Sequence, residues 1–154
     1  MCNGLFIRGM FMDYMKIALE EAKKAYSEDE IPVGAVIVYQ NQIIAQAHNL
    51  KEKQHCVISH AEMLAIQQAS DYFGNWHLND CEMYVTLEPC MMCSGAIIQS
   101  RIKKIIIGAR DNRWIGLSDY LNTHIYNYYP EIEFKDFEEC QIILKKYFKG
   151  KRES

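Results

Sequence analysis

The feature that most constrains this chain is the junction running from Met83-Tyr84-Val85-Thr86-Leu87 through Glu88-Pro89 to Cys90-Met91-Met92-Cys93. A β-type apolar run stops at a proline, and two cysteines three positions apart then open a helix-like stretch, Met91 to Gln99. Proline suits a position just ahead of or at the start of a helix, where no N–H donor is needed. The unpaired N–H groups and the dipole of a helix start favour negative charge, so both sulfurs are more readily held as thiolates, the metal-binding form. Alone, C-x-x-C fits a redox pair, half a zinc site or chance. His60-Ala61-Glu62, thirty residues ahead of Cys90 and opening a second helix-like run, removes most of that ambiguity.

The remaining elements follow from periodicity. Asp13 is placed to cap a helix from Tyr14 to Tyr26, with Met15, Ala18, Leu19, Ala22 and Ala25 on its apolar stripe. Val33 to Tyr39 is nearly all apolar, as a strand covered on both faces would be. Gln40-Asn41 turns the chain into a return strand, Gln42 to His48, and a loop follows from Asn49 to Ile58. Ser59 is expected to cap a helix to Tyr72, and Cys81 to Leu87 is the third strand. Lys104 to Gly108 is a fourth strand, Leu117 to Thr123 a short helix and Ile132 to Phe134 a fifth strand. Asp136 is expected to cap a last helix ending near Phe148. Strands alternating with helices define a layered α/β domain. With 154 residues this is one domain, residues 13–154, behind an N-terminal extension, residues 1–12, expected to be disordered.

Three ligands with an open fourth position make a catalytic zinc site, whereas four closed ligands make a structural one. His60, Cys90 and Cys93 supply three, and Glu62 is then placed to move a proton. In an ideal helix positions i and i+2 do not face the same way, so this pair works only at a helix start. Plainer readings compete. Ser59-His60-Ala61-Glu62 also fits a capping box, in which Glu62 would only satisfy a backbone N–H, and the cysteines could be small buried hydrophobes. A closed structural zinc would need His48, His55 or Cys56 as fourth ligand and would leave Glu62 without a role.

The formal net charge of −3 argues against a general polyanion binder but not against a local basic patch. Such a patch exists at the C-terminal end, where Lys145, Lys146, Lys149, Lys151 and Arg152 are interleaved with Tyr147 and Phe148. Cations for phosphates and aromatics for unstacked bases suit single-stranded RNA, although cations at a helix end also complement its dipole. No apolar run approaches the roughly 20 residues needed to span a bilayer. Six cysteines without a secretory signal are read as reduced thiols in the cytoplasm.

H-x-E followed by P-C-x-x-C is the known signature of zinc nucleobase deaminases, so the chain matches a described motif here. Beyond it, Ile31 to Val36, Ala47-His48-Asn49, His60 to Met63, Gly74-Asn75-Trp76, Val85 to Ala96 and Gly108 to Asp111 resemble segments of the bacterial tRNA-specific adenosine deaminase family. The resemblance implies a cytidine-deaminase-like three-layer α/β/α fold with a mixed five-stranded sheet, a homodimer and one Zn²⁺ per chain. It implies hydrolytic deamination of wobble adenosine, position 34, to inosine in a tRNA anticodon loop. The alternative is a deaminase of a free nucleobase or nucleoside using the same zinc site. By the same resemblance His60, Cys90 and Cys93 bind zinc, Glu62 shuttles protons, Asn49 contacts the flipped nucleoside, and Pro32, Val33 and Ala61 line its pocket. Asp111 lies near the substrate backbone and Phe148 packs on a loop base. The chain departs from the family pattern after Asp111, where Asn112-Arg113-Trp114-Ile115-Gly116-Leu117-Ser118 stands in place of a glycine-rich run with a lysine.

Overall fold

The computed structural model describes residues 6–7, 10–11, 13–124 and 126–153. Of the N-terminal extension, β1 (Phe6–Ile7) and β2 (Met10–Phe11) form a two-residue antiparallel ladder, and its other residues lie outside the described set. Helix α1 (Tyr14–Ser27) starts as expected, with the Asp13 carboxylate accepting from the Met15 N–H at 3.1 Å. Strands β3 (Gly34–Tyr39) and β4 (Gln42–His48) form the expected hairpin. Gln40 and Asn41 both take left-handed backbone, φ 50° and 62°, which a two-residue turn between twisted strands requires.

The sheet is completed by β5 (Glu82–Val85), β6 (Lys104–Ile107) and β7 (Glu131–Phe134), in the order β4-β3-β5-β6-β7. β3 runs antiparallel to β4 and β5, whereas β5, β6 and β7 are parallel, so the sheet is mixed. Helices α2 (Ala61–Phe73), α3 (Met91–Ser100) and the short α4 (Leu117–Leu121) follow in the chain, and α5 (Glu138–Glu153) closes it. One core cluster joins α2 and α3 to the sheet through Ala65, Ala69, Ile97 and Ile105; another joins α1 and Cys140 of α5 to Val36 and Ile106. Alternation along β3 and β6 thus feeds helices on both faces, the three-layer arrangement expected.

Two details aim the sheet at one point. A Cβ on Gly34 would lie within van der Waals overlap of the Ala18 carbonyl, so only glycine lets α1 lie flush on the start of β3. β5 is shorter than expected because Thr86 takes over where the ladder stops. Its N–H donates to Gly34 O and its hydroxyl accepts from Gly34 N–H, each at 3.0 Å. The strand-to-helix turn carrying Pro89 and Cys90 is therefore tied to the first residue of β3.

Other element ends also differ from expectation: α4 stops at Leu121 rather than Thr123, and the ends of α2 and α5 bear on the site. Ser59 does not cap α2: its hydroxyl donates to Gln54 Oε1 at 2.6 Å, and His60 occupies the N-cap position with no side-chain cap bond. α5 begins at Glu138, so Asp136 is not adjacent to it, and it continues five residues past Phe148. Lys151 and Arg152 fall in its last turn, where cations complement the helix dipole and favour continuation.

Candidate active site and metal centre

The N-termini of α2 and α3 meet, each presenting its N-cap residue to the other. Neither His60 nor Cys90 spends its side chain on capping. His60 Nδ1 lies 3.8 Å from Cys90 Sγ and 3.6 Å from Cys93 Sγ. Among the described residues, these three donor atoms form the cluster lying within 4.8 Å of one another. Ligands on a tetrahedral zinc, at about 2.0 Å for nitrogen and 2.3 Å for sulfur, stand about 3.5 Å apart, so the separation fits. The fourth ligand of a closed site is not supplied by His48, whose Nδ1 is 2.9 Å from Glu21 Oε1.

The protonation of the cluster also fits a cation. The hydrogen bond from Cys93, and then that with His60, hold the Cys90 thiol down at about 4, against the opposing cost of burial. Cys93 moves the other way, pushed up by its bond to Cys90 and by burial. Cys90 in turn raises the proton affinity of His60. Protons shared among soft donors in this way are those a Zn²⁺ ion displaces on binding.

Glu62 is the second residue of α2, in its first turn, and is 4% exposed. Burial pushes its carboxyl up to about 7, opposed by its own backbone N–H and by His60. The capping box is not formed, since Ser59 is turned away. Instead Asn49, 7% exposed, reaches across from the loop after β4, and its Oδ1 accepts from the Ala61 N–H at 2.8 Å. Asn49 therefore satisfies a helix start that His60 leaves bare. Its amide acceptor is used inside the protein, which fixes the orientation of the amide.

Asn49 and His60 line a cavity of about 300 Å³ together with Ile31, Tyr147 and Phe148. Pro32, Val33 and Ala61 are buried in the adjoining segments, and the lining side chain from Ile31–Val33 is Ile31. Phe148 and Lys151 also line a second, larger groove of about 620 Å³ between the loop after β6 and α5. Its cationic rim is Arg110, Arg113, Lys145, Lys151 and Arg152. The basic tract is thus divided by the turn of α5: Lys146 lies on the other side, 5.4 Å over the Tyr26 ring. Arg110 and Arg113 replace it on the groove, a convergence of loop and helix that residue spacing did not reveal. Asp111 does line the groove, but both its carboxylate oxygens are bound to Arg113, at 3.0 and 2.9 Å, and Arg113 holds its carboxyl below the usual range, against burial.

The loop carrying these residues is tied back to the metal turn. Glu88, buried, accepts from the Ser118 N–H at 3.0 Å and hydroxyl at 2.6 Å, and Leu117 N–H donates to Pro89 O at 3.2 Å. A Cβ on Gly116 would strike the Glu88 carboxyl, so the chain passes there as glycine.

A three-layer fold whose two helix starts offer His, Cys and Cys beside a buried Glu defines a zinc-binding deaminase. Consistently, residues 11–109 match the family described as the cytidine and deoxycytidylate deaminase zinc-binding region. Within it the chain belongs to the tRNA-specific adenosine deaminases. It is 43% identical over 143 residues to the tRNA-specific adenosine deaminase of Bacillus subtilis (strain 168), covering 90% of this chain and 89% of that one. It is 41% identical to the Aquifex aeolicus protein of the same name, over 90% of this chain and 94% of that one. A solved structure from studies of A-to-I editing by tRNA:A34 deaminases superposes with a TM-score of 0.81 at 32% identity, covering 85% of this chain and 98% of that one. Guanine deaminase from Bacillus subtilis is similar with a TM-score of 0.62 at 31% identity, over 75% and 73% of the two chains.

Proposed function

We propose that this protein hydrolytically deaminates adenosine to inosine at the wobble position of a tRNA anticodon loop. The observation that carries this reading is the adjacency of two spaces: the cavity at His60 and the cationic groove share Phe148 and Lys151 in their linings. A single flipped base suits the small cavity, and the sugar-phosphate chain on either side suits the groove. Flipping is least costly where a base is already unpaired, as in an anticodon loop.

His60, Cys90 and Cys93 are the residues that hold zinc. The bound ion supplies Lewis-acid activation of a water. Glu62, poised near neutrality, accepts a proton from the attacking water as the C6–O bond forms. It then delivers a proton to the amine as the C6–N bond breaks, so adenosine and water become inosine and ammonia. Asn49 offers its amide donors to an acceptor on the nucleoside, since its oxygen is already bonded to Ala61 N–H. Ile31 offers the apolar wall for the base, with Pro32, Val33 and Ala61 buried in the segments adjoining it. Reduced thiolate ligands suit the cytoplasm, and no helix among the described residues is long and apolar enough to cross a membrane. Val57, Ile58 and Met91, each more than half exposed beside the two ligand-bearing helix starts, support a homodimer that covers them.

The rival is a deaminase of a free nucleobase or nucleoside, a reading that the likeness to a guanine deaminase favours for the base. The test is ammonia release, side by side, from an adenosine-34 stem-loop, free adenosine, cytidine and guanine. Turnover of the stem-loop above all others is expected. Turnover of a small substrate alone would hand the site to the rival.

A further inference from the structure

The segment where the chain departs from the family pattern builds an arrangement of its own. Arg113 lies with its guanidinium carbon 4.5 Å over the Phe148 ring. Its Nε and Nη2 donate to the two oxygens of Asp111, and the Arg113 backbone N–H donates to Asp111 Oδ1 at 3.0 Å. One face and one edge of the guanidinium are thereby fixed. The side chain of Asp111 is 12% exposed and that of Arg113 47%, so the pair presents the arginine to the groove and shields the carboxylate. A phosphate approaching here meets cation, not anion. A carboxyl held low by Arg113 keeps the clamp closed at working pH.

This changes which group a base can stack on. A ring face of Phe148 is already covered by Arg113. Guanidinium planes are weakly hydrated and stack on nucleobases as aromatic rings do. The other face of Arg113 is thus a rigid, pre-ordered platform a few ångströms from the residue that joins groove to cavity. We propose that Arg113 is a nucleobase-stacking residue, taking a base next to the edited adenosine on the face opposite Phe148, with Asp111 as its positioning residue. The proposal rests on the tRNA reading above and adds a second base contact within it.

A stack and a plain phosphate contact respond differently to lysine, which keeps the charge and loses the plane. The experiment measures stem-loop affinity and steady-state kinetics for wild type, Arg113→Ala and Arg113→Lys, with zinc content and melting temperature as controls. The stem-loops are intact, abasic at position 33, or abasic at position 35. Both variants should bind the intact stem-loop about five- to a hundredfold more weakly, the range for one stacked base, with the loss in KM rather than kcat. On one of the two abasic stem-loops, wild type and variants should bind alike, because the partner base is gone. Full rescue by lysine, an Arg113→Ala affinity equal to wild type, or an undiminished loss on both abasic stem-loops would each overturn the proposal while leaving editing intact. A wild-type protein that neither binds nor deaminates the stem-loop would overturn the functional reading, and the proposal with it.

Discussion

The cavity at His60 and the groove beside α5 adjoin, yet they are built on opposite principles. At the first, two helix starts converge, the ligands are half-buried or buried, and Glu62 is driven towards neutrality by lack of water. At the second, cations stay in solvent and are steadied by rings: Arg110 lies 3.9 Å over Phe134 and Arg113 4.5 Å over Phe148. Chemistry needs a dry, fixed constellation in which charges are expensive and therefore strong. Holding a polyanion needs many exposed charges of modest individual worth. A substitution in the first region should be nearly all-or-none, and one in the second graded and salt-dependent.

The largest effect is expected at the metal ligands. Elemental analysis of the purified protein should give about one zinc per chain, lost together with activity in Cys90→Ser or Cys93→Ser. A fourth protein ligand found by X-ray absorption would make the site structural and remove the chemistry assigned to it. Next is Glu62→Gln, which should keep zinc and stem-loop affinity while turnover falls at least about a hundredfold. Near-normal turnover would show that the proton moves by another route. The same variant sharpens the contrast of environments through metal-free stability. A carboxyl whose folded pKa is about 7, above its unfolded 4.5, destabilises the fold as pH rises through that window. Metal-free Glu62→Gln should therefore melt above metal-free wild type at pH 8, with the gap closing towards pH 4.5. A gap independent of pH would mean the carboxyl is not buried as described.

In the groove, Arg110→Ala, Lys145→Ala and Arg152→Ala together should raise KM and leave kcat. Each lost phosphate contact should flatten the log–log salt dependence of stem-loop binding by roughly 0.7 to 0.9. Identical slopes for wild type and triple variant would take this face out of the RNA site. The smallest change is expected where the regions meet. Asn49→Asp keeps the acceptor for Ala61 N–H, whereas Asn49→Ala removes it and should lower stability by about 1 kcal/mol, as loss of a helix cap does. Both lose the amide donors and should weaken turnover, so equal melting temperatures for the two would deny Asn49 its capping role.

The same division explains what was legible in the residues alone. His60, Glu62, Cys90 and Cys93 lie in short motifs at helix starts, where chemistry and local backbone geometry coincide. The hairpin at Gln40-Asn41 and the stripe of α1 are likewise local signals. The cap of α2 is not a local signal: its acceptor comes from Asn49, 12 residues back, while the Ser59 hydroxyl turns to Gln54. No periodicity encodes such a contact. Arg113 was seen only as a departure, and its position over Phe148 depends on how a loop folds back on α5. The basic tract was read as one patch, but helical rotation carries Lys145 and Lys146 to different faces.

The tie between Glu88 and Ser118 has a consequence for substitution in the loop. Glu88 precedes Cys90 by two residues, and Ser118 lies in the first turn of α4, just past the loop that begins at Arg110, which itself donates to the Ser118 hydroxyl at 3.4 Å. The loop is therefore closed at its base, like a cassette clipped into a frame. Residues 112 to 115 can be altered without shifting the cysteines beside the clip. The groove's lining at Asn112 and Arg113 can thus change its chemistry while the metal turn stays in place.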